Sequence, residues 1–375
     1  MQSGLPGLLF TGDEAANYEI IRYAPEFREQ LLHLQQRSWG PEPALNARYL
    51  AWKYESNPFD QQALIFLARQ GETVVGMRGF WSTGWYLDGE PLPAVCAGDL
   101  VVSPEHESQG LFRRIMTFAE AELRQAGYRY LLNLSASPVT YLRSIRSGWK
   151  SVQPWQSVRR ETGPWATIQR FHQGVRKLPL MWRYENSDYA HKLVGGLYPQ
   201  AIRRLPAGIS ESDAPRVDAM AALAATEAPQ PIAHAFDRDY LQWRLGNPMS
   251  RYRYFYAGDQ KLSGYLILQQ DRRRSSGHCA IVDWRGSDPS VRRQLLEAVT
   301  ATVRPAAIST WTAGRSEDDK ALLTQAGFES VDDSRGIKAY RPSLLLKPLS
   351  ADKTIDPRLL TPENWHFSML FSDRY

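Results

Sequence analysis

The feature that most restricts how this 375-residue chain can fold is an internal echo. Tyr49-Leu50-Ala51-Trp52-Lys53-Tyr54-Glu55-Ser56-Asn57-Pro58 returns as Tyr240-Leu241-Gln242-Trp243-Arg244-Leu245-Gly246-Asn247-Pro248, one residue shorter. Ala97-Gly98-Asp99 has a counterpart in Ile281-Val282-Asp283, Cys96 in Cys279, and Gly148-Trp149 in Gly327-Phe328. The offsets drift from 191 (240 against 49) through 184 (283 against 99) to 179 (327 against 148). Small deletions in a duplicated unit produce such a drift. Length alone also leads one to expect two domains.

Composition bounds the class. Hydrophobic residues make up 43% and charged residues 23%, which is the make-up of a folded chain. A net charge of +5 and a pI near 9.1 suit an anionic ligand or surface. No long basic run interleaved with aromatics occurs, so nucleic acid is not an expected partner. The two cysteines, Cys96 and Cys279, have no paired spacing, and the histidines have no metal spacing. Neither a disulfide framework nor a metal site is expected, and a reducing cytoplasm is. Residues 1–17 lack the basic start and apolar stretch of a signal peptide. No uncharged apolar run approaches the ~18 residues of a membrane span.

Residues 18–155 set out their elements in a definite order. Tyr18–Tyr23 reads as a strand, and Pro25 opens a helix continued by Phe27, Leu31, Leu34 and Trp39. A second helix covers Leu45–Glu55 and stops before Asn57-Pro58. Ala63–Ala68 and Thr73–Phe80 form a hairpin about Gln70-Gly71-Glu72, and Leu87-Asp88-Gly89-Glu90 marks another tip. Cys96–Ala126 then runs from a β-branched strand through Ser103-Pro104 and a polar loop to Gly110. There it opens into an amphipathic helix on which Phe112, Ile115, Met116, Ala119 and Leu123 share a face. Tyr128–Leu134 is the next strand, and Thr140–Ser147 a short helix closed by Gly148-Trp149. A glycine turn into a helix N-terminus presents free N–H groups and the positive end of the helix dipole. That is a ready anion site, and Arg113 and Arg114 strengthen it.

This order resembles the GNAT superfamily of acyl-CoA N-acyltransferases. Asp99-Leu100-Val101-Val102-Ser103-Pro104 is similar to that family's fourth strand, D-L-x-V-x-P. Gln109-Gly110-Leu111-Phe112 is similar to the end of its R/Q-x-x-G-x-G/A loop. Ser137-Pro138 with Gly148-Trp149 looks like the later helix that closes on Gly-Phe. Two positions depart from the pattern: Glu107 stands where Arg or Gln is usual, and Phe112 where a second small residue is. The resemblance implies a mixed α/β (α+β) fold of two GNAT-like domains, each a twisted, mostly antiparallel mixed sheet flanked by helices. It implies acetyl-CoA or another acyl-CoA as co-substrate, with the pantetheine along Leu100, Val101 and Val102. The pyrophosphate would sit on Gln109, Gly110, Leu111, Phe112, Arg113 and Arg114.

Acyl transfer to an amine needs a base, a donor to the oxyanion and an acid for the leaving thiolate. Asp99 is the candidate base, or else a structural or substrate-binding carboxylate. Strand alternation groups it with Val101, opposite Leu100 and Val102. The family's tyrosine acid falls on Ser144 here, and the nearest tyrosine is Tyr141; either, or a water, could serve. Cys96 lies in a strand with no adjacent histidine and reads as a buried small hydrophobe.

The expected division is an arm at 1–17, a catalytic domain at 18–158, a basic helical connector at 159–215, a degenerate second domain at 216–345 and a tail at 346–375. In the second half Asp283 leads to Ser287-Asp288-Pro289, so a capping aspartate and a proline at the first helical position stand where the phosphate turn would be. This copy is expected to complete the substrate cleft and not to bind coenzyme A. The connector holds nine Lys/Arg from Arg159 to Arg204. It reads as a solvated basic face, or as a surface for a nucleotide-linked sugar, a lipid carrier or the membrane periphery. The tail Trp365–Tyr375 resembles those of GNAT proteins of bacterial surface-polysaccharide pathways. That resemblance implies that Asp373 or the terminal carboxylate contacts the acceptor amine. The function expected is acetyl transfer to a small polar amine such as an amino sugar, by a monomer or dimer. Two alternatives stay open: a non-catalytic acyl-CoA sensor or scaffold, and aminoacyl or peptidyl transfer from tRNA by a tandem GNAT fold.

Overall fold

The computed structural model describes residues 18–154, 156–161, 205–227, 230–259, 261–271, 278–303, 307–332 and 343–373. The N-terminal arm, residues 162–204 of the basic connector and the terminal carboxylate of Tyr375 lie outside the described residues.

The first half begins with strand β1 (Tyr18–Arg22), helix α1 (Arg28–Trp39) and helix α2 (Pro43–Leu50), which ends in a π-helical turn (Ala51–Glu55). Strands β2 (Leu64–Gln70), β3 (Thr73–Ser82), β4 (Trp85–Leu87), β5 (Glu90–Pro91) and β6 (Ala94–Val102) follow. Helix α3 (Leu111–Gln125), strand β7 (Tyr130–Asn133), helix α4 (Pro138–Arg146) and strands β8 (Lys150–Pro154) and β9 (Ser157–Glu161) complete it. The second half starts with β10 (Ile209–Ser212), α5 (Val217–Ala224), β11 (Ile232–His234) and α6 (Arg238–Leu245). It continues with β12 (Ser250–Ala257), β13 (Gly264–Asp271), β14 (His278–Gly286) and α7 (Pro289–Thr302). Strand β15 (Ala307–Trp311), helix α8 (Glu317–Gln325) and strands β16 (Glu329–Ser330) and β17 (Ser343–Pro348) close it. None of the described helices is long and apolar enough to cross a membrane.

These strands form two seven-stranded sheets, ordered β1-β2-β3-β6-β7-β17-β8 and β10-β12-β13-β14-β15-β9-β16. The halves therefore exchange a strand. Strand β17 enters the first sheet between β7 and β8, pairing Leu345 with Asn133 on one side and Ser151 on the other. Strand β9 enters the second sheet, where Arg160 pairs with Ile308. Leu344, Leu345 and Leu346 are fully buried, as a central strand covered on both faces requires. The boundaries expected at 158 and 345 both fall inside exchanged strands.

The duplication is visible in register. Strands β6 and β7 pair in parallel at Ala94↔Tyr130, Val95↔Leu131 and Cys96↔Leu132. Strands β14 and β15 do the same at His278↔Ala307, Cys279↔Ile308 and Ala280↔Ser309. The common offset is 184 (278 against 94), which equates Asp99 with Asp283. It also corrects one correspondence: Cys96 matches Ala280, and Cys279 matches Val95. Pairing register fixes the alignment here and sets the two cysteines one position apart.

Three apolar clusters order the layers. One joins α3 to the outer face of the first sheet through Leu111, Ile115, Ala119 and Leu123. Another joins α7 and α8 to the second sheet through Leu295, Leu296, Leu322 and Leu323. The largest lies between the sheets and takes in α1, α2, α6 and the tail residues Met369, Leu370 and Phe371.

Candidate active site

The site grows from a fault in β6. Beyond Cys96 this strand has described ladder pairs with β3 only, so β6 and β7 part company at Ala97. The β3 register also shifts between Arg78 and Phe80, leaving Gly98 and Asp99 opposite Gly79 alone. Such a bulge re-aims side chains. The π-turn drops onto it, and two glycines admit it. A Cβ on Gly79 would stand 2.2 Å from Tyr54 Oη, and one on Gly98 would stand 3.1 Å from Lys53 Nζ. π-Turns commonly mark functional positions in helices.

Here the turn buries Lys53 and Tyr54 together. Lys53 Nζ stands 2.8 Å from Asp99 Oδ2 and 2.9 Å from Asp373 Oδ2. Tyr54 Oη donates to Asp99 Oδ2 at 2.7 Å, and Trp39 Nε1 donates to Asp99 Oδ1 at 3.0 Å. The rings of Tyr49, Tyr54 and Trp81 surround the ammonium, with centroids 5.2 to 5.9 Å away.

Burial acts first on each of these groups. It would lower Lys53, but the charges of Asp373 and then Asp99 outweigh it and hold the ammonium well above an ordinary lysine. Burial would raise Asp99, yet the Lys53 charge and the hydrogen bonds from Lys53, Trp39 and Tyr54 bring it down to about 2. Burial and the Asp99 charge hold Tyr54 neutral. Two further buried cations act on the cluster: Arg78, which donates to Gly98 O at 3.0 Å, feels the charges of Asp373 and Asp99, and Arg244 feels that of Asp373.

The tail delivers Asp373 along a defined track. Arg244 is fully buried and donates from Nε to Leu370 O at 2.6 Å and from Nη2 to Ser372 O at 2.7 Å. Tyr240 Oη also donates to Leu370 O, at 2.9 Å. Asp99 and Asp373, named from sequence, are thus brought onto one ammonium. Lys53, Tyr54, Trp39 and Arg244 were missed as functional side chains, although the repeat itself held the signal. A cation at the same place in both Y-L-x-W segments, each buried, is not ordinary helix decoration.

Tyr141 and Ser144 lie elsewhere. Both sit on α4, where Tyr141 packs against the α3-side cluster and the Ser144 carbonyl accepts from Trp149 N–H. Asp99 faces α1 and the π-turn, so these acid candidates and the carboxylates flank opposite faces of the sheet. Leu100, Val101 and Val102 pair with Arg78, Met77 and Gly76 of β3. Val101 is packed with the inter-sheet cluster and Val102 against the α3 cluster, as alternation required.

At the start of α3, Gly110 adopts the left-handed conformation (φ 72°), which suits glycine. Leu111 turns inward while Phe112 and Arg113 are exposed. The Gln109 side chain is engaged: its Oε1 accepts from Tyr18 Oη at 2.5 Å. Arg114 Nη2 donates to the Tyr18 carbonyl. These two residues tie the loop to β1, leaving the Arg113 side chain exposed; the Arg113 and Arg114 N–H groups donate to Gly110 O at 3.0 and 3.2 Å. Cys96 is buried, and burial pushes its thiol up to about 12, so it is no nucleophile.

The corresponding place in the second half is closed. Only Ser287 and Asp288 separate β14 from α7, against residues 103–110 between β6 and α3. Asp288 Oδ1 accepts from Ser290 N at 2.8 Å and Val291 N at 3.2 Å. A Cβ on Gly264 would stand 2.5 Å from Val291 Cγ1, so α7 sits flush on its sheet.

A parted strand pair followed by a glycine turn into a helix N-terminus is a geometry that can hold an anionic ligand. Residues 19–150 match the family model described as an acetyltransferase (GNAT) domain, which supports an acyltransferase. Among solved structures, a tandem GNAT protein from the clavulanic acid biosynthesis pathway aligns over 91% of this chain and 100% of its own, at 13% identity and a TM-score of 0.54. A probable N-acyltransferase from Enterococcus faecalis aligns over 89% and 73%, at 13% identity and 0.57. N-myristoyltransferase from Saccharomyces cerevisiae aligns over 97% and 88%, at 10% identity and 0.52. At such identities the likeness is one of fold, and it spans both halves. No curated protein matches the sequence.

Proposed function

We propose that the protein transfers an acyl group, most simply acetyl, from acyl-CoA to the amine of a small polar metabolite such as an amino sugar. The observation that carries this reading is the Lys53 ammonium held between Asp99 and Asp373 at the point where β6 leaves β7. The two carboxylates, each still partly exposed, can accept from an incoming ammonium. The yeast N-myristoyltransferase structure, which shares the fold, contains myristoyl-CoA.

The residues divide the work by face. On the α3 side, backbone N–H groups at Gly110–Phe112 and the Arg113 guanidinium would hold the pyrophosphate. On the other side, Asp373 accepts the acceptor's ammonium and its proton. Asp99 is a poor base, because three donors already occupy it and its acid form exists only near pH 2. Moving a proton to it from an amine of pKa near 8 would cost about 8 kcal/mol, at ~1.4 kcal/mol per unit. Asp99 therefore fixes Lys53, and Lys53 fixes Asp373. The β6 backbone stabilises the oxyanion. Tyr141 or Ser144, or a water, returns the proton to the thiolate on the far face. The second half binds no coenzyme A; its filled helix N-terminus supports that reading.

Thermal-shift titrations with acetyl-CoA, longer acyl-CoA and free coenzyme A test this. A shift with at least one thioester, lost in Arg113→Glu, is expected. No shift with any of the three would sink it in favour of a scaffold.

A further inference from the structure

We infer that the second half uses its own copy of the acceptor site to bind the chain's C-terminal segment, so that Arg244 is a positioning residue for Asp373. This rests on the reading of Asp373 as the acceptor's carboxylate.

The two copies share one frame. Register equates Asp283 with Asp99, and the repeat equates Arg244 with Lys53. Each aspartate stands three residues past the last parallel pair, in a strand whose partner ladder shifts register beside it. Each accepts a tyrosine hydroxyl at 2.7 Å, from Tyr54 or Tyr265. The cations then diverge. In the first half Lys53 touches Asp99 directly at 2.8 Å. In the second half the tail lies between the equivalent groups. Ser368 Oγ donates to Asp283 Oδ1 at 3.0 Å, while Arg244 binds the carbonyls of Leu370 and Ser372. Arg285 takes over the ion pair to Asp283, at 3.0 Å, and donates to His366 of the tail at 2.8 Å.

Residues 366–372 therefore occupy the space that in the first half is the contact between cation and carboxylate. The second copy recognises one 3-10 turn of peptide, Met369–Phe371 with its flanking serines, through carbonyls and one serine hydroxyl, and its ligand is tethered. Asp373 is the next residue, and it emerges onto Lys53 of the other copy. Arginine suits the task because two donors of one planar fork set two carbonyls apart at a fixed distance, which lysine cannot do.

The test is Arg244→Lys in the full chain, followed by amide hydrogen exchange and steady-state thiol release. Exchange of the amides of Leu370–Asp373 should quicken by about tenfold or more while the β3 and β13 amides keep their rates. Turnover should fall about 10- to 100-fold with acetyl-CoA affinity changed less than about twofold. In the double variant with Asp373→Asn, turnover should be no lower than in Asp373→Asn alone, since both act through one carboxylate. Unchanged tail exchange, or losses that multiply in the double variant, would overturn the inference. If tail exchange quickens while Asp373→Asn keeps full turnover, the docking stands and the catalytic role of Asp373 falls. Should Arg244→Lys fail to fold, Ser368→Ala gives the same exchange readout from the other end of the track.

Discussion

Trp52 and Trp243 exchange hydrogen bonds. Trp52 Nε1 donates to the Trp243 carbonyl at 2.7 Å, and Trp243 Nε1 donates to the Trp52 carbonyl at 2.9 Å. Their rings stack with centroids 5.1 Å apart and an interplanar angle of 16°. A reciprocal pair between equivalent residues of a repeat marks a two-fold relation. Here it sits where the two copies of Y-L-x-W meet, one residue before Lys53 and Arg244. The pair locks the two cations' helices together, and through them the tail and the first site.

Replacing Trp243 by Phe keeps most of the stack and removes one donor, leaving the Trp52 carbonyl short of a partner. The expected loss is about 1–3 kcal/mol of unfolding free energy, read from urea titration. The Trp52→Phe and Trp243→Phe losses should fall short of additive in the double variant, with a coupling of about 0.5–3 kcal/mol.

Lys53→Met removes the direct ion pair of both Asp99 and Asp373, leaving them only the buried guanidiniums of Arg78 and Arg244 at longer range. About 3–5 kcal/mol of stability should be lost at neutral pH. Asp99 should then titrate well above its present range, because the largest influence holding it down is the Lys53 charge. Carbonyl-carbon NMR of labelled aspartate would show it; an Asp99 that stays ionised through pH 4 would contradict the arrangement.

The glycines at the bulge are graded in what they can tolerate. Gly79→Ala puts a methyl 2.2 Å from the fully buried Tyr54 hydroxyl, whereas Gly98→Ala meets that hydroxyl at 2.9 Å and the Lys53 ammonium at 3.1 Å. Gly79→Ala should therefore lower the thermal midpoint more, by several degrees. Gly98→Ala should lower turnover about tenfold or more with a smaller effect on stability.

Acid should weaken the fold well before Asp99 titrates. Burial, with Arg244 and His366 nearby, pushes His234 down to about 3. Burial and then Arg285 do the same to His366, beside Asp283 and Arg315. Both are neutral in the folded state and charge near 6.5 when unfolded, so the unfolded chain binds more protons between those values. Their contribution is full above about pH 6.5 and is lost progressively as pH falls towards 3, at up to ~1.4 kcal/mol per pH unit for each ring. Asp99, depressed to about 2, adds a loss only below about pH 4. His234→Phe, whose ring can keep the stack on Phe371 at 4.0 Å, should flatten the slope between pH 6.5 and 4 by about half.

Much of this was legible in the residues, because the informative signals are local. The Gly110 turn, the capping Asp288 and the buried Cys96 each follow from one residue and its neighbours. Asp99 was recognisable from its strand, and the duplication from the tryptophan that now sits on the symmetry axis. The strand exchange was not legible: Leu344-Leu345-Leu346 announces a buried strand but says nothing of which sheet receives it. Lys53 was passed over because burial of a lysine depends on carboxylates distant in sequence at Asp99 and Asp373. The engagement of Gln109 with Tyr18 is likewise a contact between residues 91 apart.

The central claim is that Asp373, set on Lys53 beside Asp99, receives the acceptor amine. Thiol release from acetyl-CoA in the presence of an amino-sugar panel, wild type against Asp373→Asn, tests it most directly. Turnover in the variant should fall by about 10²–10⁴ while the KM for acetyl-CoA stays within about twofold. Equal turnover in the two proteins, on an acceptor that the wild type acylates, would contradict it.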